Sequence, residues 1–536
     1  MSNMVVCPEP PAAKVGQEVF AEGGNAVDVA VATAFAQAVT NPLLCGIGGT
    51  GIMHYYDAKK RQPLVLNFRV TIGSRPVPKS WVEEYVGRAE TVGRYIIRSE
   101  ANQVGYQSVM VPGFVRGCWL AFQRFGSGRL SWADLLSPAI RLAKDGFEVY
   151  PYIARFGRDR EQKPGYPSLM TKLHTTPGAA RVYLKADGAP YEEGDWLVQA
   201  ELAQTLQRLA DAGGEDFYTG EIARAISEDF AKHDGFITAQ DLRDFPVDED
   251  KPLWGRYRGL DVASPPHSSG AQIIQMLQVL GHFDLRGLGL NTAGYIDTFA
   301  RIQRATFADN VRTKGMTRDE ARPLEEEVIK PERAAYWAER IKRGDRIVVQ
   351  GGAVDSGTTN LTCMDADRNI VSFTHSIGSG AGSGVVTPGL GFLYNDFLGH
   401  FNPLPGHPDS IVAGKRQSGS PPTLVFKDGE PYIAIGAPGG SRIMTAVVQS
   451  LANVVDHGMS MAEAVSVPRL HSEERQLVFL EPALPESTAG ALRAMGNEVQ
   501  RSSYQARVQA IRVRPDTGEL EAGPDPRGGA GVGRYP

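Results

Sequence analysis

Hydrophobic residues fill almost every position between 26 and 39, in the run AVDVAVATAFAQAV, so they would cover nearly all sides of a helix. Asn25 stands directly before the run, where its side chain can cap the free N–H groups of the first turn. A helix without a polar face belongs in a protein interior. The run contains Asp28 and Gln37 and is too short to span a bilayer, so it predicts a buried helix.

Strand-like segments occur in pairs joined by short polar turns. Residues 46–70 (GIGGTGIMHYYDAKKRQPLVLNFRV) give a glycine loop, a strand, a turn and a second strand. Residues 358–377 read as a strand, a turn at ADRN and another strand. Residues 421–440 repeat the pattern, with Asp428-Gly429 as the hairpin turn. These pairs predict antiparallel hairpins.

Further helices are predicted between the hairpins. Residues 131–147 have Ser131 as the N-cap and Gly146 near the end, residues 198–285 contain several helical runs, and residues 441–458 form one more. The Gly/Pro-rich end, 522–536, is expected to be extended. Helices and antiparallel hairpins together favour sheets that are covered by helices.

Composition narrows the class of protein. The chain has 536 residues, 42% hydrophobic and 22% charged, with a net charge of −5 and no basic block, which argues against a nucleic-acid partner. The first residues, MSNMVVCPEPPAAK, lack the pattern of a secretory signal. We therefore expect a cytoplasmic enzyme that does not associate with membranes; an exported protein whose leader lies upstream is the alternative. The four cysteines are scattered and imply neither a disulfide framework nor a zinc site.

Two familiar motifs are excluded. Residues 46–51, GIGGTG, match GxGxxG, but a helix precedes them and a strand follows, which is the reverse of a dinucleotide site. A tight glycine turn that lets backbone approach closely is the better interpretation. The chain has no G-x-S-x-G, so it lacks the nucleophile elbow of α/β-hydrolases. His375 and His400 show no ligand pairing, and a structural role is the simpler reading for each.

The stretch DSGTTNLTCMD, residues 355–365, carries the candidate chemistry. A threonine hydroxyl is a poor nucleophile unless a base removes its proton. When the chain is cut just before the threonine, its own α-amino group, with a pKa of about 7.7–8.0, can be that base. Gly357 suits such a cut because it lacks a Cβ and tolerates strain. Taken alone, Gly-Thr-Thr is more typical of an ordinary strand start.

Nine stretches of the sequence follow one another in the order typical of one protein family. They favour a catalytic role for the Gly-Thr-Thr motif. The sequence resembles the gamma-glutamyltranspeptidase family of N-terminal nucleophile hydrolases over nearly its whole length. The stretches are GGNAVDVAVATAFA, GIGGTGIMHYYD, LNFR, SVMVPGFVRG, SPAIRLAKDGF, SPPHSSGAQIIQMLQVL, DSGTTNLTCMDADRNIVSFTHSI, GSGVVTPGLGFLYND and GAPGGSRI.

The resemblance implies an α+β fold, a four-layer αββα sandwich made from two autocleaved pieces. Cleavage between Gly357 and Thr358 would give a large subunit, 1–357, and a small subunit, 358–536, of 536 − 357 = 179 residues. Together they would form one unit, and cleaved heterodimers could assemble further. The family needs no cofactor or metal.

The resemblance also implies roles for residues at the reaction centre. Thr358 would be the nucleophile, Thr359 would hold the new amino terminus, and Ser376 would supply a supporting hydroxyl. Gly439 and Gly440 would form the oxyanion hole, where backbone N–H groups face the carbonyl oxygen as it gains charge.

Substrate recognition is implied by two further stretches. Arg69, in LNFR, matches the arginine that binds the substrate's carboxylate, which a guanidinium can do with two hydrogen bonds. Ser418 matches the first of two serines that hold the same carboxylate, and the second of them is Gly419 here.

The sequence departs from the family where a γ-glutamyl α-ammonium would bind. The stretch that reads NNQMDD in the family reads NDFLGH here, from Asn395 to His400, and its critical acid aligns with His400. A helping Asn is replaced by Gly378. The residues that would bind the carboxylate, Arg69 and Ser418, are thus present. The acid that would bind the ammonium is absent, unless Asp396 points inward. Loss of such a pair costs about 2–5 kcal/mol.

These residues predict an amidohydrolase that acts through an acyl-enzyme on a small carboxylate-bearing amide, such as oxamate. The alternative is a true γ-glutamyltransferase or glutathione hydrolase with a rearranged pocket. An uncleaved homologue that only binds small acids is the third reading. Subunit cleavage separates the first two from the third.

Overall fold

The computed structural model describes residues 2–89, 93–156, 165–310, 317–347, 349, 357–503 and 506–536. Its strands are β1 Asn3–Cys7, β2 Thr50–Asp57, β3 Gln62–Asn67, β4 Tyr85–Arg88, β5 Tyr95–Ile97, β6 Phe147–Glu148, β7 Trp196–Leu197, β8 Asp248–Asp250, β9 Leu253–Tyr257, β10 Leu260–Ser264, β11 Gly357–Met364, β12 Ile370–Gly378, β13 Thr423–Lys427, β14 Glu430–Gly436, β15 Leu470–His471, β16 Leu477–Leu480, β17 Glu498–Arg501, β18 Gln509–Val513, β19 Leu520–Pro524 and β20 Gly531–Tyr535.

The helices are α1 Pro10–Ala21, α2 Ala26–Thr40, α3 Ser80–Glu84, α4 Phe114–Phe125, α5 Trp132–Asp145, α6 Pro151–Ala154, α7 Leu169–Leu173, α8 Pro177–Tyr183, α9 Ala200–Ala212, α10 Asp216–Thr219, α11 Glu221–Lys232, α12 Ala239–Arg243, α13 Gly270–Leu280, α14 Leu285–Leu288, α15 Ala293–Asn310, α16 Arg318–Val328, α17 Pro331–Lys342, α18 Arg442–Val455, α19 Met461–Ser466 and α20 Glu486–Ala494. Of the helices in the described ranges, none combines the length and apolar character that crossing a membrane requires.

The first sheet has seven antiparallel strands in the order β20-β1-β11-β12-β2-β3-β8. Strand β11, which begins at Gly357, lies between β1 and β12. Strands from the two sides of the Gly357–Thr358 bond are therefore neighbours at three places in the sheet, β20 with β1, β1 with β11 and β12 with β2. A cut at that bond would leave both pieces hydrogen-bonded to each other along several strand edges.

The second sheet has six strands in the order β19-β18-β14-β13-β10-β9. A shared core of apolar side chains from both sheets fills the space between them, so the two sheets pack face to face. Tyr56 of the first sheet and Phe426 of the second meet in this layer with ring centroids 5.2 Å apart. Burial of one such side chain contributes about 1.5–3 kcal/mol.

Helices cover the outer face of each sheet. One core joins the first sheet to α1, α2, α4, α5, α9 and α11. Another joins the second sheet to α13, α15, α17, α18, α19 and α20. The order of layers is thus helix, sheet, sheet, helix, and the predicted αββα sandwich is confirmed.

Local sequence signals account for the helix that lies behind the central strands. Asn25 accepts hydrogen bonds from the N–H groups of Val27 and Asp28, and Asp28 in turn accepts from Asn25. This reciprocal cap starts α2, all of whose residues are buried, as the pattern predicted. Ser131 caps α5 with Asp134 in the same way.

The glycines of GIGGTG allow close approach of backbone, as the sequence suggested. A Cβ on Gly49 would lie 2.3 Å from the carbonyl oxygen of Ser376, and one on Gly51 would lie 2.1 Å from the ring of Phe68. Side chains at these positions would push β2 away from its neighbours. The loop therefore brings β2 against β12 at the point where Ser376 stands.

Candidate active site

Thr358 lies at an irregular start of β11. Gly357 pairs with Gly378 and Thr359 pairs with His375, so Thr358 alone lies opposite both Ser376 and Ile377. Such bulges re-aim side chains next to active sites. Gly357 is enclosed, because an added Cβ would lie 2.8 Å from the side chain of Leu44. The bond between Gly357 and Thr358 is therefore fixed in a tight setting.

Ser376 connects the two residues of that bond. Its hydroxyl donates a hydrogen bond to the carbonyl oxygen of Gly357. It accepts one from the Thr358 hydroxyl, with 3.3 Å between the oxygens, and one of 2.9 Å from the Gly378 N–H. The Gly357 carbonyl is thereby polarised, and the Thr358 hydroxyl has an acceptor for its proton. A polarised carbonyl and an acceptor for the hydroxyl proton both favour attack of the hydroxyl on that carbonyl.

Thr359 points to the opposite side of the strand, towards α2. Its hydroxyl donates to Glu9 at 2.8 Å and accepts from the amide of Gln37 at 3.0 Å. Asn41 also donates to Glu9, and His375 lies 2.9 Å from the Gln37 oxygen. Thr359 thus holds the strand from behind through its side chain. Its sequence-predicted role, holding the new amino terminus, stays a prediction.

Two members of this network have perturbed acidity. Burial raises the pKa of the Glu9 carboxyl, and hydrogen bonds from Gln37, Asn41 and Thr359 oppose that rise. Burial lowers the pKa of His375 to about 3, so its imidazole is neutral. Glu9 was not predicted from the sequence, because a glutamate in PEPP is more typical of an exposed loop.

Two cavities meet in front of Thr358. A small one, of about 20 Å³, is lined by Thr358 and Ser376. A large one of about 800 Å³ adjoins it, and both cavities are lined by Arg69, Gln417, Gly419 and Ser420. The volume of the larger cavity is typical of a site for a small molecule.

Arg69 stands where the two cavities meet. Its Nε donates to Asn67 at 3.0 Å and its Nη1 donates to the His267 carbonyl at 2.6 Å. Among the described residues, Nη2 donates to no partner. Burial, with the nearby Arg416, lowers the pKa of Arg69 to about 10, so the guanidinium stays charged at neutral pH. It can receive a carboxylate from the cavity.

The structure places the other predicted carboxylate and oxyanion residues around the large cavity, except Gly439, which does not line it. Ser418, Gly419 and Gly440 line it. Gly439 and Gly440 have φ of 143° and 59°, a backbone that favours glycine, and α18 starts just after them. Their turn thus faces the cavity at a helix N-terminus, where backbone N–H groups are directed outwards. Arg416, which was not predicted from the sequence, is one of four further cationic side chains that line this space, with Arg88, Arg318 and Lys415.

Asp396 is held away from both cavities. It forms buried ion pairs with Arg94 at 2.8 Å and Lys172 at 2.7 Å, and it accepts hydrogen bonds from Ser379. Burial raises the pKa of Asp396, but the attraction of Arg94 and Lys172 outweighs burial and holds the pKa well below its usual value. The residue is charged but fully engaged, so the inward orientation considered from the sequence is not observed.

The remaining residues of the NDFLGH stretch divide between scaffold and cavity. Asn395 is buried and bonds to the backbone of Met110 and Gly48, which makes it a scaffold residue. His400 lines the large cavity, and burial lowers its pKa to about 3, so it is neutral. A Cβ on Gly378 would lie 1.8 Å from the Asp396 carboxylate, so the ion cluster occupies the place of a side chain there.

A four-layer αββα sandwich with a threonine at the start of a central strand defines the class of N-terminal nucleophile hydrolases. The chain belongs to the gamma-glutamyltranspeptidase family, because the family described as "Gamma-glutamyltranspeptidase" matches residues 12–535. It is thus an enzyme of the N-terminal threonine hydrolase and acyltransferase type. Several relatives carry the word proenzyme in their names.

Two names recur among the relatives, acylase and glutathione hydrolase. "Acylase ACY 1 proenzyme" of Pseudomonas sp. (strain V22) is 34% identical over 523 residues, with 96% of this chain and 90% of that protein covered. "Glutathione hydrolase proenzyme" of Bacillus subtilis (strain 168) is 30% identical over 559 residues, with 99% and 91% covered. The crystal structure of cephalosporin acylase from Bacillus halodurans superimposes with a TM-score of 0.85 at 26% identity, with 99% and 95% covered.

Proposed function

We propose that this protein cuts itself before Thr358 and then hydrolyses an amide whose acyl group carries a carboxylate but no α-ammonium. The observation that carries the proposal is the Ser376 hydroxyl, which joins the Thr358 hydroxyl to the Gly357 carbonyl beside a cavity that contains Arg69. This arrangement supports Thr358 as the nucleophile in both self-cleavage and substrate hydrolysis.

Maturation begins when the Thr358 oxygen attacks the Gly357 carbonyl carbon. The C–N bond breaks, an ester replaces the amide, and the proton from the hydroxyl passes by way of Ser376 to the nitrogen. Water then opens the ester and releases the Gly357 carboxyl group, the Thr358 hydroxyl and a free α-amino group. The products are the subunits 1–357 and 358–536.

Turnover repeats this chemistry on a substrate. The α-amino group of Thr358 takes the hydroxyl proton, the oxygen attacks the amide carbonyl, and N–H groups at Gly439 and Gly440 stabilise the oxyanion. The amine or ammonia leaves with the proton, and an ester of Thr358 remains. Water then releases the acid and restores the hydroxyl.

The acyl group is limited by charge. Arg69, with Ser418 and Gly419 beside it, supports binding of a carboxylate. Asp396 is already ion-paired with Arg94 and Lys172, and His400 is neutral. Neither residue therefore offers a negative charge to an α-ammonium. Oxamate is the smallest substrate of this kind, and a glutaryl amide is the γ-glutamyl amide without its amino group.

The alternative, a γ-glutamyltransferase or glutathione hydrolase, is favoured by the names of several relatives. It requires another carboxylate to bind the ammonium. Glu473 is one candidate, and Asp248, Glu325 and Asp409 also line the large cavity. The cytoplasmic location expected from the sequence stays a prediction.

Two anilides that differ only in the amino group separate these functions. We expect kcat/KM for glutaryl-p-nitroanilide to exceed that for γ-glutamyl-p-nitroanilide by about tenfold or more, because an unpaired ammonium loses its hydration without compensation. Oxamate is assayed alongside by ammonia release. Efficient turnover of glutathione with every amino-free amide inert would overturn the proposal.

Arg69→Met tests the carboxylate grip. Loss of one partner from a buried charge pair costs about 2 kcal/mol or more, which is about 30-fold in kcat/KM for the glutaryl anilide. Butyryl-p-nitroanilide, which has no carboxylate, should lose far less. Arg69→Lys keeps the charge but not the planar guanidinium, so its kcat/KM for the glutaryl anilide should lie between those of the wild type and Arg69→Met. Equal losses for both anilides would show that Arg69 does not bind the carboxylate.

A further inference from the structure

Glu325, on α16, is a buried acid that lines the large cavity. Its side chain is 4% exposed, and its Oε1 accepts a hydrogen bond of 2.8 Å from the N–H of His267. Its Oε2 has no hydrogen-bond partner within the part of the chain that the structure describes. A buried carboxylate with one oxygen unsatisfied requires an explanation beyond packing.

The backbone of His267 joins Glu325 to Arg69. His267 has a φ of 55°, an uncommon value for a residue with a side chain, and it lies in the loop between β10 and α13. Its N–H donates to Glu325, and its carbonyl accepts from Nη1 of Arg69 at 2.6 Å. Glu325 therefore fixes the loop that in turn fixes Arg69.

The orientation of the Arg69 guanidinium depends on this loop. Asn67 holds Nε and the His267 carbonyl holds Nη1, so these two contacts set the plane of the group. Bidentate binding of a carboxylate depends on that plane. Movement of the His267 carbonyl would turn the free edge of Arg69 away from the substrate.

We propose that Glu325 is a positioning residue for Arg69, which acts through His267 and makes recognition of the substrate carboxylate weaken as Glu325 becomes ionised. The inference rests on the proposed function, in which Arg69 binds that carboxylate. The hydrogen bond from His267 persists in both protonation states, because a neutral carboxyl group retains a carbonyl oxygen. The change with pH is therefore one of charge.

The electrostatic setting places this change near neutral pH. Burial raises the pKa of Glu325 to about 7, while the His267 N–H, Arg322 and Arg69 oppose that rise and Asp250 adds to it. Burial and nearby arginines lower the pKa of His267 to about 3, so its imidazole, 3.6 Å from Glu325, stays neutral. Above about pH 7 a carboxylate forms beside Arg69 and opposes a second one from the substrate.

The quantity to measure is the ratio of kcat/KM for the glutaryl anilide to kcat/KM for the butyryl anilide. Titration of the Thr358 amine affects both values alike and so does not change this ratio. In the wild-type enzyme the ratio should fall by about threefold to tenfold as pH rises from about 6 to about 8. Glu325→Gln keeps the hydrogen bond without the charge, so its ratio should stay high and flat. Glu325→Ala loses the charge and the hydrogen bond together, so its ratio should also stay flat with pH but lie about fivefold below that of Glu325→Gln.

The two glutamate variants thus both lose the pH dependence but differ about fivefold in the ratio, which a general loss of folding does not produce. Intact mass and melting temperature of each variant confirm that it is cleaved and folded. A wild-type ratio that does not change with pH, or Gln and Ala variants that behave alike, overturns the inference. If Arg69→Met lowers the ratio while both Glu325 variants match the wild type, the inference fails and the proposed function stands. If Arg69→Met leaves the ratio unchanged, the proposed carboxylate grip itself fails.

Discussion

Replacing Thr358 by alanine is expected to leave an uncut chain with activity reduced by about 10⁴-fold or more, the scale of loss when a catalytic nucleophile is removed. The hydroxyl has two tasks in the proposed function, attack on Gly357 and attack on the substrate. Alanine removes the group from both, and the absence of cleavage also withholds the α-amino base. Hydrolysis of the glutaryl anilide and intact mass measure the two losses.

Thr358→Ser is the matched control. Serine keeps the hydroxyl in the same place, within reach of Ser376, so cleavage should proceed and part of the activity should remain. An alanine variant that is still cut at the same bond, or still turns over the anilide at a comparable rate, would show that another residue is the nucleophile.

Ser376→Ala is expected to slow self-cleavage by about 10²-fold, since removal of one donor to a reacting carbonyl costs about 10²–10³. The hydroxyl is the group that contacts both the Gly357 oxygen and the Thr358 oxygen. The fraction of cut chain, followed with time after purification, gives the rate. The packing change is small, because the variant removes a single oxygen atom from a buried site.

Ser376→Thr separates chemistry from packing at this position. It keeps the hydroxyl and adds a methyl group, so a rate close to that of the wild type indicates that the donor is what matters. If the alanine variant were cut as fast as the wild type, the Gly357 carbonyl would need no help from Ser376. The proposed route for the proton would then be wrong.

Local signals in the sequence were enough to predict much of the fold. The cap at Asn25, the cap at Ser131 and the turn at Asp428-Gly429 each involve residues close together in the chain, and the structure confirms all three. The αββα order of the layers was implied by the family resemblance rather than by these local patterns. It required knowledge of which strands pair across hundreds of residues.

The surroundings of the candidate site could be predicted only in part. Thr358, Ser376 and Arg69 were predicted because they lie in recognisable stretches, and all three line the small cavity. Glu9 lies 350 positions from Thr359, and its role depends on burial that no local pattern indicates. Asp396 pairs with Arg94 across 302 positions, so its position outside both cavities is a result of tertiary packing.

The intact mass of the freshly purified, denatured wild-type protein tests the central claim most directly. The proposed function predicts two masses, those of residues 1–357 and 358–536, that sum to the full chain plus one water. In the Thr358→Ala variant the two should merge into one full-length mass. A single full-length wild-type mass that persists on long incubation, or a cut at another bond, would contradict the assignment of Thr358 as the nucleophile.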